Sequence, residues 1–182
     1  MGVLDIFAFI FGILGVVLTI KQNVLCWPIS IIGLVTSLFA FYEQRLFGDA
    51  SLQIIYLIYS IYGWIYWNKQ VQTEFNITNS PIKQLFYLGV VTILLFIGIF
   101  FLLKFFKGDK ILVDAILTSI SLTTTYMMIK KWIENWMLWV IIDFAYVFLY
   151  FSKSMYLFSV LYFIFAVVAF FGFLEWKKLL KK

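Results

Sequence analysis

Four residues that could bind a solute lie between positions 134 and 143, in the run ENWMLWVIID. Asn135, Trp139 and Asp143 recur every four residues, and Trp136 stands three residues before Trp139. Residues spaced by three or four share one face of an α-helix, so the run predicts a helical face carrying an amide, two indoles and a carboxylate. Such a face can stack on a flat ring, hydrogen-bond to its substituents and balance a positive charge.

The carboxylate is the unusual member of this face. An ionised aspartate in the middle of a membrane helix costs about 2.5–3.5 kcal/mol on insertion scales, so it usually faces a cavity or the bundle interior. We interpret Asp143 as part of a cavity lining, because two tryptophans share its face; the alternative is a hydrogen bond to a neighbouring helix. For Trp136 and Trp139 the alternative is an interfacial position next to Glu134, which fits Trp136 better than the deeper Trp139.

A second polar stripe runs along SLQIIYLIYSIYGWIYW, residues 51–67. Its members at helical spacing, with one adjoining tryptophan, are Gln53, Tyr56, Ser60, Gly63, Trp67 and Trp64. We predict that Gln53, Tyr56, Ser60 and Trp64 contact substrate, with hydrogen bonding between helices as the alternative. Trp67 and Trp176, near the ends of their segments, are predicted to anchor the chain at the membrane interface.

These side chains together predict a flat, aromatic solute, neutral or cationic, that carries hydroxyl or amide groups. Ring stacking contributes about 0.5–1.5 kcal/mol per pair, and a cation over a ring contributes about 0.5–2 kcal/mol. A further stripe on the fifth apolar segment consists of Asp114, Thr118, Ser121 and Thr125. For it we favour helix–helix hydrogen bonds, with Asp114 capping its helix.

Several kinds of chemistry are absent from the sequence. The chain has no histidine and one cysteine, Cys26, so it offers neither the usual general base nor an internal disulfide. It contains no phosphate-binding G-x-x-x-x-G-K-[ST] loop, and we predict no ATP hydrolysis, catalytic residue, metal site or cofactor. Facilitated diffusion is the simplest mechanism that these residues allow, although Asp143 leaves proton coupling open.

The elements that carry these residues are membrane helices. The chain is 64% hydrophobic and 13% charged over 182 residues, too apolar for a soluble fold of this size. We predict an all-α membrane protein with seven transmembrane segments, near 3–20, 24–42, 50–67, 84–103, 111–129, 135–151 and 155–174. The first is read as a permanent helix and not a signal peptide, because it has Asp5 in place of a basic start and no small-residue cleavage site.

An internal repeat organises these segments. Residues 5–67 align without a gap on 114–176 at an offset of 109. The alignment pairs Asp5 with Asp114, Lys21 with Lys130, Trp27 with Trp136, Gly63 with Gly172 and Trp67 with Trp176. It predicts one transmembrane domain, 1–182, in a 3+1+3 parallel-repeat (SWEET-like) arrangement, with 84–103 as a connector helix and substrate bound near the midplane between the repeats.

The basic residues predict the orientation of the chain. With the C-terminus and the ends of the odd segments on one side, nine basic residues fall there and five on the other. An excess of lysine and arginine marks the cytoplasmic side, so we predict an outside N-terminus and a cytoplasmic C-terminus. The basic residues flank membrane segments and predict no nucleic-acid partner. The sequon NIT at 76–78 therefore lies on the cytoplasmic side and carries almost no weight.

Three motifs resemble one known family. YGWIYW at 62–67, ENWMLW at 134–139 and YLFSVLYFIFAVVAFFGFLEW at 156–176 are similar to the PnuC-type vitamin transporters, and the resemblance covers almost the whole chain. It implies a multi-pass protein of the bacterial inner membrane that takes up nicotinamide riboside. It further implies a homotrimer, no direct energy coupling, and trapping of the product by a cytoplasmic kinase.

The same resemblance assigns individual residues. The tryptophan motif of the family maps to Trp136 and Trp139 with Asn135 before it, and its third-segment glutamine maps to Gln53. The chain departs from the family at Asp143, where familiar nicotinamide riboside transporters tend to have asparagine. Thiamine is therefore the alternative substrate, with riboflavin a further one, and the extra negative charge does not choose between two cationic vitamins.

Overall fold

The computed structural model describes residues 3–43, 47–70, 76–107, 110–152, 154 and 156–180. In these ranges the chain forms seven α-helices, as the hydropathy predicts. They are α1 (Val3–Ile20), α2 (Cys26–Glu43), α3 (Phe47–Gln70), α4 (Ile82–Phe105), α5 (Ile111–Ile129), α6 (Glu134–Ser152) and α7 (Tyr156–Leu180). The first and fifth have the predicted ends, whereas α3, α4 and α7 extend several residues further than predicted.

Five of the described helices are long and apolar enough to cross a membrane: α2, α4, α5, α6 and α7. The apolar part of α1, from Ile6 to Ile20, is shorter. The polar side chains that make α3 a candidate binding helix also lower its hydropathy. Seven helices are therefore confirmed, while the number of crossings, the 3+1+3 arrangement and the repeat boundaries stay predictions.

The helices fall into two compact units, residues 1–75 and 76–182. In the first unit α1 packs on α2, and α2 packs on α3. In the second unit α5 packs on α6 and α6 on α7 in the same order, and α4 packs on α5. The connector helix thus belongs to the second unit, where Thr92 donates a hydrogen bond to Thr123 at 3.2 Å or accepts one from it.

Each unit contains the same packing contact between two tryptophans and a glycine, at positions that the repeat aligns. In the first, the Trp27 ring meets the Trp67 ring edge-on, with centroids 5.4 Å apart. In the second, Trp136 meets Trp176 edge-on at 5.3 Å. Gly63 and Gly172 give room for these contacts, because a Cβ on either would lie 2.5–2.6 Å from the indole of Trp27 or Trp136.

This contact corrects one prediction. The sequence predicts that Trp67 and Trp176 anchor the chain at the membrane interface, but they are 2% and 0% exposed. A belt residue needs an outward ring, whereas these rings fill the space beside a glycine and a second indole. They are packing residues inside their units.

The turns before α2 and α6 repeat the same backbone hydrogen bonds. Asn23 N donates to Leu18 O at 3.0 Å, and Trp132 N donates to Met127 O at 3.0 Å, again 109 residues apart. Gln22 and Lys131, which the repeat also aligns, are both in the left-handed region with φ 53°. The two turns share the same hydrogen-bond pattern and the same left-handed position, which supports the ungapped sequence repeat.

Candidate functional site

Asn135 lies at the start of α6 and is fully buried, with 0% of its surface exposed. Its Nδ2 donates a hydrogen bond to the carbonyl oxygen of Trp132 at 2.5 Å. Because a carbonyl accepts only from the nitrogen end of an amide, this contact fixes which way the side chain points. Its other end, Oδ1, is buried and has no hydrogen-bond partner among the described residues.

Trp139 follows one turn later on the same face. Its half-buried ring packs against a cluster of Leu117, Ile142, Tyr146 and Leu149. The indole Nε1 is buried, and within the ranges that the structure describes it donates to no acceptor. The start of α6 therefore carries an acceptor and a donor, one helical turn apart, that form no hydrogen bond with any residue the structure describes.

Trp136 has a defined packing role. It is buried against Gly172 and Trp176, and its Nε1 also finds no partner in the described part of the chain. Its counterpart in the first unit, Trp27, has the same packing, and its Nε1 likewise has no partner among the described residues. Substrate binding by Trp136 stays a prediction beside this observed role.

Asp143 lies two turns beyond Asn135 and is 4% exposed. No hydrogen bond or salt bridge to its carboxylate is found among the described residues. Its carboxyl group and that of Asp114 on α5 both interact electrostatically with the Tyr146 hydroxyl. The cap position before α5 is Lys110, so Asp114 does not occupy the cap that the sequence predicted.

The face continues past Asp143 into an aromatic column whose residues on α6 were not predicted as part of the site. The Tyr146 ring lies 4.7 Å from that of Tyr162 on α7, and Tyr162 stacks on Tyr150 at 5.1 Å. Tyr150 in turn stacks on Phe158 at 5.4 Å. The spacing of 139, 143, 146 and 150 was a usable signal, because it extends the same helical face by two more turns.

The hydroxyl stripe of α5 is used mostly inside the second unit. Ser121, Thr124 and Thr125 donate to backbone carbonyls four residues earlier at 2.8–2.9 Å. The Thr118 hydroxyl lies 3.4 Å from the Tyr146 hydroxyl, which links α5 to α6. The expectation of helix–helix hydrogen bonding therefore holds for Thr118 and Ser121, which both interact with the Tyr146 hydroxyl, while Thr125 bonds within its own helix.

The second predicted stripe lies on α3 in the first unit. Ser60 is buried, Gln53 and Tyr56 are half-buried, and Trp64 is exposed. Their repeat counterparts on α7 are Tyr162, Phe165, Ala169 and Phe173. One repeat is thus polar where the other is apolar; binding by the α3 residues stays a prediction.

Comparison with known proteins decides the family. The model of the family described as nicotinamide mononucleotide transporter matches residues 2–178. The chain belongs to this family. It is 24% identical to the nicotinamide riboside transporter PnuC of Escherichia coli (strain K12), over 75% of this chain and 69% of that protein. The same values hold for the protein of that name from Shigella flexneri.

A solved structure agrees with this assignment at the level of the fold. The crystal structure of the vitamin B3 transporter PnuC superposes with a TM-score of 0.75, covering 98% of this chain and 82% of that one at 21% identity. The all-helical membrane fold is therefore confirmed. Family membership makes the chain a multi-pass membrane transporter and not an enzyme.

Proposed function

We propose that the protein takes up nicotinamide riboside across the bacterial inner membrane by facilitated diffusion. Two relatives at 24% identity are named as transporters of this compound. The observation that carries the proposal is the unused pair on α6, Asn135 Oδ1 and Trp139 Nε1, both buried and without a partner among the described residues.

The pair matches a primary carboxamide. A buried polar atom left without a hydrogen bond costs about 1–3 kcal/mol. A ligand that hydrogen-bonds to both atoms removes this cost, which the protein without ligand bears. The amino group of a carboxamide would donate to Asn135 Oδ1, and its carbonyl would accept from Trp139 Nε1. The indole of Trp139 also offers a face on which a flat ring can stack.

Asp143 adds a preference for a positively charged ligand. The pyridinium ring of nicotinamide riboside is positive, and a buried carboxylate without a protein partner in the described ranges favours a cationic ligand. Thiamine is also a cation, so it remains the alternative that an experiment must separate. Riboflavin has a neutral ring system and is the weakest candidate by this criterion.

The remaining features of the proposal come from the repeat and the resemblance. We propose that substrate binds near the midplane, that Gln53, Tyr56, Ser60 and Trp64 also contact it, and that Trp136 borders it. Cytoplasmic phosphorylation then traps the product, the N-terminus lies outside, and the protein is a homotrimer. The exposed apolar side chains of α4, such as Phe86 and Leu94, fit contact with lipid or with another subunit.

Calorimetry on purified protein tests the substrate. Nicotinamide riboside, thiamine and riboflavin are titrated in turn, and we expect nicotinamide riboside to bind most tightly. Trp139→Phe, which keeps a ring and removes the N–H donor, should weaken this binding by about 5-fold or more, the loss of one hydrogen bond in a dry site. Phe148→Leu on the exposed side of the same helix is the matched control and should bind as the wild type does.

Tighter binding of thiamine, or equal affinity of Trp139→Phe and wild type, would contradict the proposal. Uptake of radiolabelled nicotinamide riboside into proteoliposomes tests the mechanism separately. Facilitated diffusion predicts that the internal concentration approaches the external one and does not exceed it. Accumulation above that level that depends on a proton gradient would show coupling and would point to Asp143.

A further inference from the structure

The polar segment between α3 and α4 makes an ordered contact with the turn before α6. Thr78 pairs with Trp132 in an isolated parallel β-bridge. Thr78 N donates to Lys131 O at 3.1 Å, and Ile133 N donates to Thr78 O at 3.0 Å. Ile77 beside it is buried.

A side-chain contact fastens the same segment two residues later. Ser80 donates to Glu134 Oε2 twice, from its hydroxyl at 2.6 Å and from its backbone N at 3.0 Å. Hydrogen bonds to a charged acceptor are about twice as strong as neutral ones. We call residues 78–80 with residues 131–134 the loop–turn contact.

The loop–turn contact includes the carbonyl group of Trp132, which orients the Asn135 side chain. The carbonyl of Trp132 accepts from both the backbone N of Asn135, at 3.2 Å, and its Nδ2, at 2.5 Å. The peptide groups on either side of Trp132 are the ones held by Thr78. Glu134, held by Ser80, is the residue immediately before Asn135.

The first unit supplies an internal comparison. Its corresponding turn has the same backbone hydrogen bonds, but Asn23 closes it locally by accepting from Leu25 N at 2.9 Å. There the position of Asn135 is taken by Cys26, which has no amide to orient. In the described ranges the β-bridge is formed with the turn that presents an amide and not with its repeat counterpart.

We propose that Ser80 and Glu134 are positioning residues, which hold the turn so that Asn135 Oδ1 faces the substrate. The inference rests on the proposed function, since it requires that Asn135 bind substrate. Its consequence is that a polar segment remote from the α6 face in sequence sets the affinity for the carboxamide end of the ligand. Neither residue contacts the ligand.

A double-mutant cycle tests this role, with the affinity for nicotinamide riboside measured by calorimetry. Ser80→Ala and Glu134→Ala should each weaken binding by about 3-fold or more in the wild-type background, because each removes a hydrogen bond to a charged acceptor. In the Asn135→Ala background the same changes should leave the affinity unaltered, because the residue through which they act is gone. Ser80→Thr, which keeps the hydroxyl, should restore wild-type affinity.

Glu175→Ala is the control for loss of a charge. Glu175 forms an exposed salt bridge with Lys178 outside the loop–turn contact, and its removal should not change the affinity. If Glu134→Ala fails to fold, Ser80→Ala alone completes the cycle, since it keeps the backbone donor to Glu134.

Two results overturn the inference alone: Ser80→Ala binding like wild type while Asn135→Ala binds weakly, or Ser80→Ala weakening binding equally in both backgrounds. Asn135→Ala with wild-type affinity would overturn the proposed site and this inference together. A wild-type protein that does not bind nicotinamide riboside would overturn the proposed function itself.

Discussion

Replacing Gly172 by alanine tests the contact that closes the second unit. The added Cβ would lie 2.6 Å from Trp136 Cε3, 2.7 Å from Cζ3 and 2.8 Å from Cδ2. The shortest of these is about 0.8 Å short of ordinary van der Waals contact, so the ring must move. Trp136 is buried and rests edge-on against Trp176, so moving it displaces a second buried indole.

Overpacking of this kind costs about 1–3 kcal/mol. Alanine also gains about 0.8–1.0 kcal/mol over glycine in a helix, which partly hides the steric cost. Gly98→Ala on α4 separates the two effects. A Cβ there meets nothing within 4 Å, so this variant gains only the higher helix propensity of alanine and has no steric cost. The difference between the two variants is then the steric cost.

Thermal unfolding in detergent measures this difference. A chain of this length shifts its Tm by about 2–4 °C per kcal/mol, so Gly172→Ala should melt roughly 2–12 °C below Gly98→Ala. Gly63→Ala should show a similar loss, because its Cβ would lie 2.5 Å from Trp27 Cη2. Equal Tm values for Gly172→Ala and Gly98→Ala would refute the packing argument.

Further variants test the site and the packing. Asp143→Asn should weaken binding of nicotinamide riboside more than that of its neutral dihydro form, by about 3-fold or more in competition calorimetry; equal losses would remove the role of charge. Gln53→Ala should lower the affinity for nicotinamide riboside in the same titration while the Tm stays near wild type, and an unchanged affinity would remove Gln53 from the site. Trp176→Ala should destabilise the protein by about 3–5 kcal/mol in denaturant unfolding, because its ring is fully buried, whereas an interfacial anchor would lose far less.

The helices were predictable because their signals are long. Each apolar segment spans many residues, and the aligned tryptophans and glycines mark positions where a large ring needs a missing Cβ. The same residues show where prediction stopped. A tryptophan near a helix end, such as Trp67, fits an interfacial anchor and a buried ring equally well, and sequence carries no information on which neighbour covers it.

The geometry of the candidate site was predicted in part. The spacing of Asn135, Trp139 and Asp143 predicts the α6 face, but Tyr146 and Tyr150, which extend it, were not among the predicted residues. The unused atoms of Asn135 and Trp139 could not be predicted, since an orphaned donor or acceptor is defined by everything around it. The loop–turn contact leaves no periodic signal, because one β-bridge fixes a single residue pair.

The segment from Thr78 to Ser80 has a practical consequence for protein engineering. Its threonine, asparagine and serine resemble an inert linker, the usual choice for inserting an epitope, a fluorescent reporter or a protease recognition sequence. Such an insertion would break the loop–turn contact and disturb the start of α6, more than fifty residues downstream. The C-terminal end of α7, where Lys177 and Lys178 are exposed, is the safer attachment point.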